Sequence, residues 1–525
     1  MDERPRDQPH ESRPSRVVET TLAFWALSFV LLLLFAWSDL HREFYFDEAW
    51  RADIIRSAHP LAELNAMRGI AAPIPPLWLG ILHVASAVVP GGFSSLRIQS
   101  LLLASLFPAL AGQIVRTIGA GHRALVDRRH GAFILGAIAA VAASASLDSF
   151  GIVFYLNDYP FQAALVSAFV LAWFYVERGW MALVWMSPFL VLMAFGTIAG
   201  LFILPAYAIW LFRSSAHRKS LAGWLPLLGA GLVAGFLYLA TYRGQSSAGL
   251  EAYWAGHILR PGDVPIVDTF RVLLRTCGSM AFPGPIVARL DEVSGLIFLC
   301  LAVVGFRDLN RSWPWIVRSA LIAWAIAVVA SLAVKWPVTA VRVNLPFLSL
   351  WIVAGFIGLQ RVIAICVRGR PRLALAVLVV PVLALVVLNA AEEPDSSAQA
   401  FARGLDGDLS VIRDSRAPQV VVVAYHFMSK PYIRGGLMND DSGGSRYRLI
   451  QEAVGDPLVY SGLAAAIDEL NLIDEAEVWC VIPYEIGPDA TEQACVLDRD
   501  EFEEFYNERL DRAQLIGLRK VSSGS

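Results

Sequence analysis

The stretch "IPPLWLGILHVASAVVP", residues 74–90, decides how everything after it is threaded. If it crosses a bilayer, every later loop changes side. A helix built over it rises about 24 Å, short of the ~30 Å hydrocarbon core. Pro75 and Pro76 open it, Pro90 closes it, and His83 sits in the middle. Basic residues give an independent test, because Lys and Arg gather in cytoplasmic loops. If 74–90 does not cross, the inner segments hold Arg4, Arg6, Arg13 and Arg16, then Arg116, Arg123, Arg128 and Arg129, and then Arg178. They continue with Arg213, Arg218 and Lys219, then Arg307 and Arg311, then Arg361, Arg368, Arg370 and Arg372. Crossing would move every cluster after the first outside. Residues 74–90 are therefore expected at the outer interface, as a juxtamembrane or re-entrant helix.

The rest of the chain agrees with a membrane frame. Its 525 residues are 56% hydrophobic and 17% charged, with a mean hydropathy of +0.54. A soluble protein carries nearer a quarter charged residues. The apolar runs predict spans at 20–38, 96–115, 130–147, 160–176, 180–196, 198–212, 220–241, 293–306, 313–334, 343–360 and 373–390. The first run follows a basic tail and is too long for a signal-peptide core, so it reads as a retained anchor. The expectation is a polytopic α-helical membrane protein of about 11 spans in a cell inner (plasma) membrane, N-terminus cytoplasmic and C-terminus outside. Residues 1–19 are its tail, 20–390 the membrane domain with outer loop 39–95, and 391–525 an extracytoplasmic domain. A net charge of −3 excludes a strongly basic nucleic-acid binder. Nearly all basic residues are Arg, the usage of a GC-rich bacterial genome.

After "NAAEEPDSSAQA" (389–400) the composition changes. Runs such as "QVVVVAYHF" and "EVWCVIPYEI" read as strands, and "GLAAAIDELNLI" and "DEFEEFYNERLDRAQLIGL" read as helices. This predicts a small α/β or α+β domain. Its loop "RGGLMNDDSGGSRY" (434–447) carries no phosphate-loop pattern. Five cysteines show no metal-ligand spacing. Cys480 and Cys495 both lie in this outer domain; whether they pair is left open by spacing alone.

The first outer segment holds the chemistry-bearing residues. "FYFDEAWRADIIRS" (44–57) sets Asp47 and Glu48 among Phe44, Tyr45, Phe46 and Trp50, a few residues above the bilayer. An isolated Asp-Glu pair in a loop is ordinarily just solvated. Here aromatic neighbours shield it, and the interfacial helix would roof the same region. The second outer segment, "DSFGIVFYLNDYPFQ", places Asp158 immediately before a span starting near Pro160. Two outer loops delivering carboxylates to one membrane level form the kind of constellation that catalysis needs.

Residues 44–107 resemble the first outer loop of the GT-C superfamily of integral-membrane glycosyltransferases, closest to the protein O-mannosyltransferase and aminoarabinose transferase branch. The likeness rests on an acidic doublet after the first span, then a Pro-Pro-aromatic interfacial helix and the "LRIQS" (96–100) that opens the second span. "LNDYPFQAAL" (156–165) resembles the family's second acid, and "VRVNLPFLSL" (341–350) its late Arg-aromatic-Pro motif. The chain departs from the family at "AAPIPP", which lacks the Lys or His before Pro-Pro, and at Val343, where relatives carry Tyr.

The resemblance implies transfer of a sugar from a polyprenyl-phosphate donor, with inversion, to an acceptor hydroxyl of a cell-envelope glycan, lipid or protein. A hydroxyl needs a general base, the role expected of Asp47, with Glu48 and Asp158 completing a catalytic set. A leaving phosphate needs cationic partners. The candidates are Arg342, Lys335, Arg68 and Arg97; for Lys335, interfacial snorkelling is the competing reading. Asp47 and Asp158 are candidates to hold a divalent cation, Mg or Mn. Asp158 equally suits the N-terminus of a helix, where the dipole favours an acid. Tyr45, Trp50, Tyr159, Trp254 and His257 are expected to line the substrate site; Trp254 and His257 also suit interfacial anchoring. The rival readings are a lipid or polysaccharide transporter and a non-catalytic envelope-assembly subunit. A transporter would want acids within its spans, and these spans are nearly free of them.

Overall fold

The computed structural model describes residues 14–37, 40, 46–66, 74–89, 93–119, 128–149, 156–242, 271, 291–333, 341–367, single positions between 373 and 387, 407–424, 447–451, 476–483, 502–510 and 513–520. The chain divides into two compact units, Met1–Leu40 with Ala58–Glu393, and His41–Ser57 with Pro394–Ser525.

The first unit is helical. In chain order it holds α1 (Pro14–Phe35), then α3 (Pro60–Ala66), α4 (Pro76–Val88), α5 (Phe93–Ala104), α6 (Leu106–Gly119) and α7 (Arg128–Ser149). There follow α8 (Tyr159–Glu177), α9 (Met186–Gly196), α10 (Leu204–Arg213), α11 (Leu221–Leu237), α12 (Asp291–Ser312), α13 (Pro314–Leu332) and α14 (Val341–Cys366). Proline opens several of them: Pro76, Pro160 and Pro314 all sit in a first turn, where the missing N–H would have no partner anyway. Five helices among the described residues are long and apolar enough to cross a membrane, near Val17–Phe35, Ser94–Ile118, Tyr159–Glu177, Leu221–Ala240 and Pro314–Leu332. Shorter apolar helices lie between them. The unit is that of a multi-pass membrane protein. Of the expected span 373–390 only single positions between 373 and 387 are described.

With 13 residues, α4 rises only about 20 Å. By contrast, α8 is buried nearly all round, from Pro160 to Val176, and packs against α5, α6, α9 and α14. It is the post of the unit. Helices α1 and α11 instead expose apolar faces, with Leu22, Val30, Leu34, Leu225, Leu232 and Phe236 all open, as lipid-facing helices do.

Helices α12 and α14 meet backbone to backbone. A Cβ added at Gly305 would lie 1.8 Å from the Ala354 carbonyl oxygen, and one at Gly358 would lie 1.8 Å from that of Leu301. Only glycine permits that approach. In a bilayer, where lipid competes for every apolar contact, such small-residue seams hold helices together.

The second unit contains α2 (Phe46–Arg56) and a five-stranded sheet, β1 (Val420–Ala424), β2 (Tyr447–Gln451), β3 (Glu477–Pro483), β4 (Phe502–Arg509) and β5 (Ala513–Lys520), in the order β2-β1-β3-β5-β4. β1 runs parallel to β2 and β3; β5 is antiparallel to β3 and β4. Leu409 and Ile412, in a helical turn at 407–413, pack with Val420, Val422, Trp479, Val481 and Leu515. The two strand-like runs do form β1 and β3. "GLAAAIDELNLI" and residues 434–446 lie outside the described residues.

One expectation is corrected. "DEFEEFYNERLDRAQLIGL" is a hairpin, β4 and β5, instead of a helix. The apolar spacing Phe502, Phe505, Tyr506 imitates a helical face. Its real cause is a bulge: Glu504 pairs with Leu518 and Tyr506 with Gly517, so Phe505 is the extra residue. The bulge lets Phe505 and Tyr506 both meet Trp479, with ring centroids 5.3 Å away in each case.

Candidate active site

Asp158 caps the N-terminus of α8, and its side chain is fully buried. It uses that side chain for something other than the helix's own amides, since it makes no capping hydrogen bond. Instead the Gln162 amide, one turn along, donates from Nε2 to Asp158 Oδ2 at 2.5 Å. The other end of the amide is held by a different element. Gln162 Oε1 accepts from Thr197 Oγ1 at 2.9 Å and from the Ile198 backbone N–H at 3.2 Å. Thr197 is the residue that ends α9. Asp158, Gln162 and Thr197 are each at most 2% exposed.

Helix α4 packs against α9, whose end holds this network. Gly196, immediately before Thr197, lies so close to its neighbours that a Cβ there would be 2.1 Å from Leu165 Cδ1 and 3.0 Å from Leu77 Cδ2. Leu77 belongs to the first turn of α4, just after the Pro75–Pro76 pair. Ile74, Trp78 and Leu79 around it are fully buried. Thus the Pro-Pro helix, the end of α9 and the acid-bearing start of α8 are one packed assembly. Tyr159 is half-buried beside them, and its N–H donates to Asn157 Oδ1 at 3.2 Å.

Asp47, Glu48 and Trp50 all lie in α2, in the second unit. Glu48 is fully buried, and Arg51, Ala52 and Ile55 are buried at helical spacing from it. The acid is thus on the inward face of its helix, not the solvated one. The Asp47 and Trp50 side chains lie outside the described residues. Arg97, on α5, is 4% exposed and donates from Nη1 to the Leu40 carbonyl at 3.2 Å. Ser94 Oγ donates to the same carbonyl at 2.9 Å. Together they pin the end of the α1 extension to the start of α5. Arg342 is in the first turn of α14, with its side chain outside the described residues. Tyr45, Arg68, Lys335, Trp254 and His257 lie outside them altogether. Among the described residues no cluster of three or more His, Cys, Asp or Glu is placed to hold a metal ion.

Sequence reasoning named Asp158 but missed Gln162 and Thr197. The first had a visible signal, a buried-face polar residue four positions after an acid. The second had none, because it comes from another helix.

No family model matches the chain, and no curated protein matches its sequence. Solved structures do match. The likeness to apo ArnT from Cupriavidus metallidurans has a TM-score of 0.50 at 12% identity, over 95% of this chain and 97% of that one. For the same enzyme bound to undecaprenyl phosphate the TM-score is 0.50 at 13% identity, over 97% and 98%. An Archaeoglobus fulgidus oligosaccharyltransferase tethered to an acceptor peptide gives a TM-score of 0.44 at 14% identity, over 91% and 70%. The fold is therefore the one seen in the ArnT structures, as the resemblance in the sequence implied.

Proposed function

We propose that this chain is a GT-C-type glycosyltransferase that moves a sugar from a polyprenyl-phosphate donor to an acceptor hydroxyl on the outer face of the membrane, with inversion and with Asp47 as general base. The observation that carries the proposal is the end-to-end likeness to ArnT, which has been captured with undecaprenyl phosphate bound. The buried acid at the start of α8, beside an α9 end that packs against a Pro-Pro helix, supports it.

The chemistry follows from these parts. A lipid-linked donor approaches laterally, so the site belongs at the interface. A carboxylate removes the acceptor's proton as the hydroxyl attacks the anomeric carbon from the face opposite the phosphate. The departing phosphate is met by a cation, for which Arg342, Lys335, Arg68 and Arg97 are the proposed sources. Asp158 orients the acceptor. The acceptor is a glycan, lipid or protein of the cell envelope. An inner-membrane location with the C-terminal unit outside is supported by the basic-residue count. Cys480 is disulfide-bonded, the state of an oxidising compartment; Cys495 lies outside the described residues.

The test supplies membranes with a panel of radiolabelled polyprenyl-phosphate sugars and compares wild type with Asp47→Asn. The variant is expected to lose at least about 100-fold in transfer. No transfer from any donor by the wild type, or undiminished transfer by the variant, removes the assignment.

A further inference from the structure

We infer that Gln162 is a positioning residue for Asp158, and that it transmits to that carboxylate the placement of the α9 end and of the Pro-Pro helix packed against α9. The inference rests on the glycosyltransferase reading and assigns a mechanism of alignment within it.

The geometry fixes the amide in one sense only. The Ile198 N–H is an obligate donor, so the Gln162 atom facing it must be the oxygen. The nitrogen then faces Asp158, as found. A flipped amide would set N–H against N–H at Ile198 and oxygen against oxygen at Asp158. Thr197 Oγ1 adds a second donor to the same oxygen. With all three side chains buried, water cannot substitute for a lost partner, and a broken link costs more than the link was worth.

A carboxylate on the first residue of a helix turns easily about χ1 and χ2. Locking one oxygen through an amide that is itself locked at two points removes that freedom. Reactions of this kind lose rate steeply when a group is displaced by about 1 Å. The anchor also makes Asp158 sensitive to α4. Gly196 is in contact with Leu77 on one side and leads directly into Thr197 on the other. A shift of α4 is therefore felt by the acid through a chain of three residues.

The experiment uses the full-length protein in membranes and measures kcat, the KM for donor and the melting temperature. It compares wild type, Asp158→Asn, Gln162→Leu, Thr197→Val and Thr197→Ser. Expected are a fall in kcat of about 10–100-fold for Gln162→Leu with donor KM within about threefold, a smaller fall for Thr197→Val, and near-wild-type turnover for Thr197→Ser, which keeps the hydroxyl. Should Gln162→Leu fail to fold, the Val and Ser pair decides: equal turnover in the two overturns the inference. So does an unchanged kcat in Gln162→Leu alongside a crippled Asp158→Asn, which leaves the glycosyltransferase reading intact. A wild type that transfers nothing from any donor overturns both.

Discussion

Two buried carboxylates, one in each unit, show how differently the same group is used. Glu477 begins β3 and is 4% exposed. It accepts from Ser415 Oγ at 2.7 Å, from Trp479 Nε1 at 2.9 Å and from Arg519 Nη2 at 3.0 Å. Burial pushes its pKa up, but the hydrogen bonds from Ser415, Arg519 and Trp479 and the charge of Arg519 outweigh that and hold it below the usual carboxylate value. These partners come from the turn before β1, from β3 itself and from β5, so the acid ties a sheet together. Asp158 instead accepts from a neutral amide that is clamped by another helix end. The first carboxylate has its charge matched by a cation on its own sheet. The second is held in direction. Two buried acids thus differ in what their bonding partners do, one tying a sheet together and the other held by an amide from its own helix.

Exchanging the charge in both places breaks the comparison most sharply. Asp158→Asn is expected to lower transfer by roughly 100-fold or more, with the melting temperature within a few degrees of wild type. Glu477→Gln should leave transfer within about threefold. Equal losses in the two variants, measured in the radiolabelled-donor assay, would erase the distinction. The next effect concerns how each unit is held. Gly358→Ala forces a methyl onto the Leu301 carbonyl oxygen, and overpacking of this kind costs about 3 kcal/mol. The readout is the melting temperature of the detergent-solubilised protein, expected to drop by several degrees while hydrogen exchange in β3 stays unchanged.

Smaller effects sharpen the Glu477 side. Glu477→Gln should cost about 1–2 kcal/mol locally, read as roughly tenfold faster exchange of the amides in 476–483. pH gives the smallest expected change. Because the folded-state pKa of Glu477 lies below its ordinary value of 4.5, its stabilisation is present in full above that pH and is lost as pH falls through the depressed folded value. Protection of 476–483, corrected for intrinsic exchange, should therefore fall on acidification below 4.5 in the wild type. Glu477→Gln should flatten that dependence. A wild-type profile as flat as the variant's would show that Glu477 contributes no such linkage.

Much of the helical unit was legible in the chain. The expected spans 130–147, 160–176 and 313–334 correspond to α7 (Arg128–Ser149), α8 (Tyr159–Glu177) and α13 (Pro314–Leu332). Apolar length and first-turn prolines are local signals, and a helix closes its hydrogen bonds within four residues. The hairpin of β4 and β5 was not legible, because a bulge shifts the period of two away from alternation. At the candidate site, Asp158 was legible from its place before Pro160 and Gln162 had a signal four residues on, whereas Thr197, which comes from another helix, had none.

Local pattern along the chain was enough to show a membrane protein, to place the starts of helices such as α8 and α13, and to put Asp158 at the start of one of them. Hydropathy, proline and charge act over a turn or a span, and all three are written in order along the chain. Packing alone reveals that Gln162 answers to Thr197 and Ile198, that Gly305 and Gly358 bring two backbones together, and that Phe505 is an extra residue in a strand. Each of those depends on a partner thirty-five, fifty or a dozen positions away. Which distant groups meet is set by packing, and no local pattern encodes it.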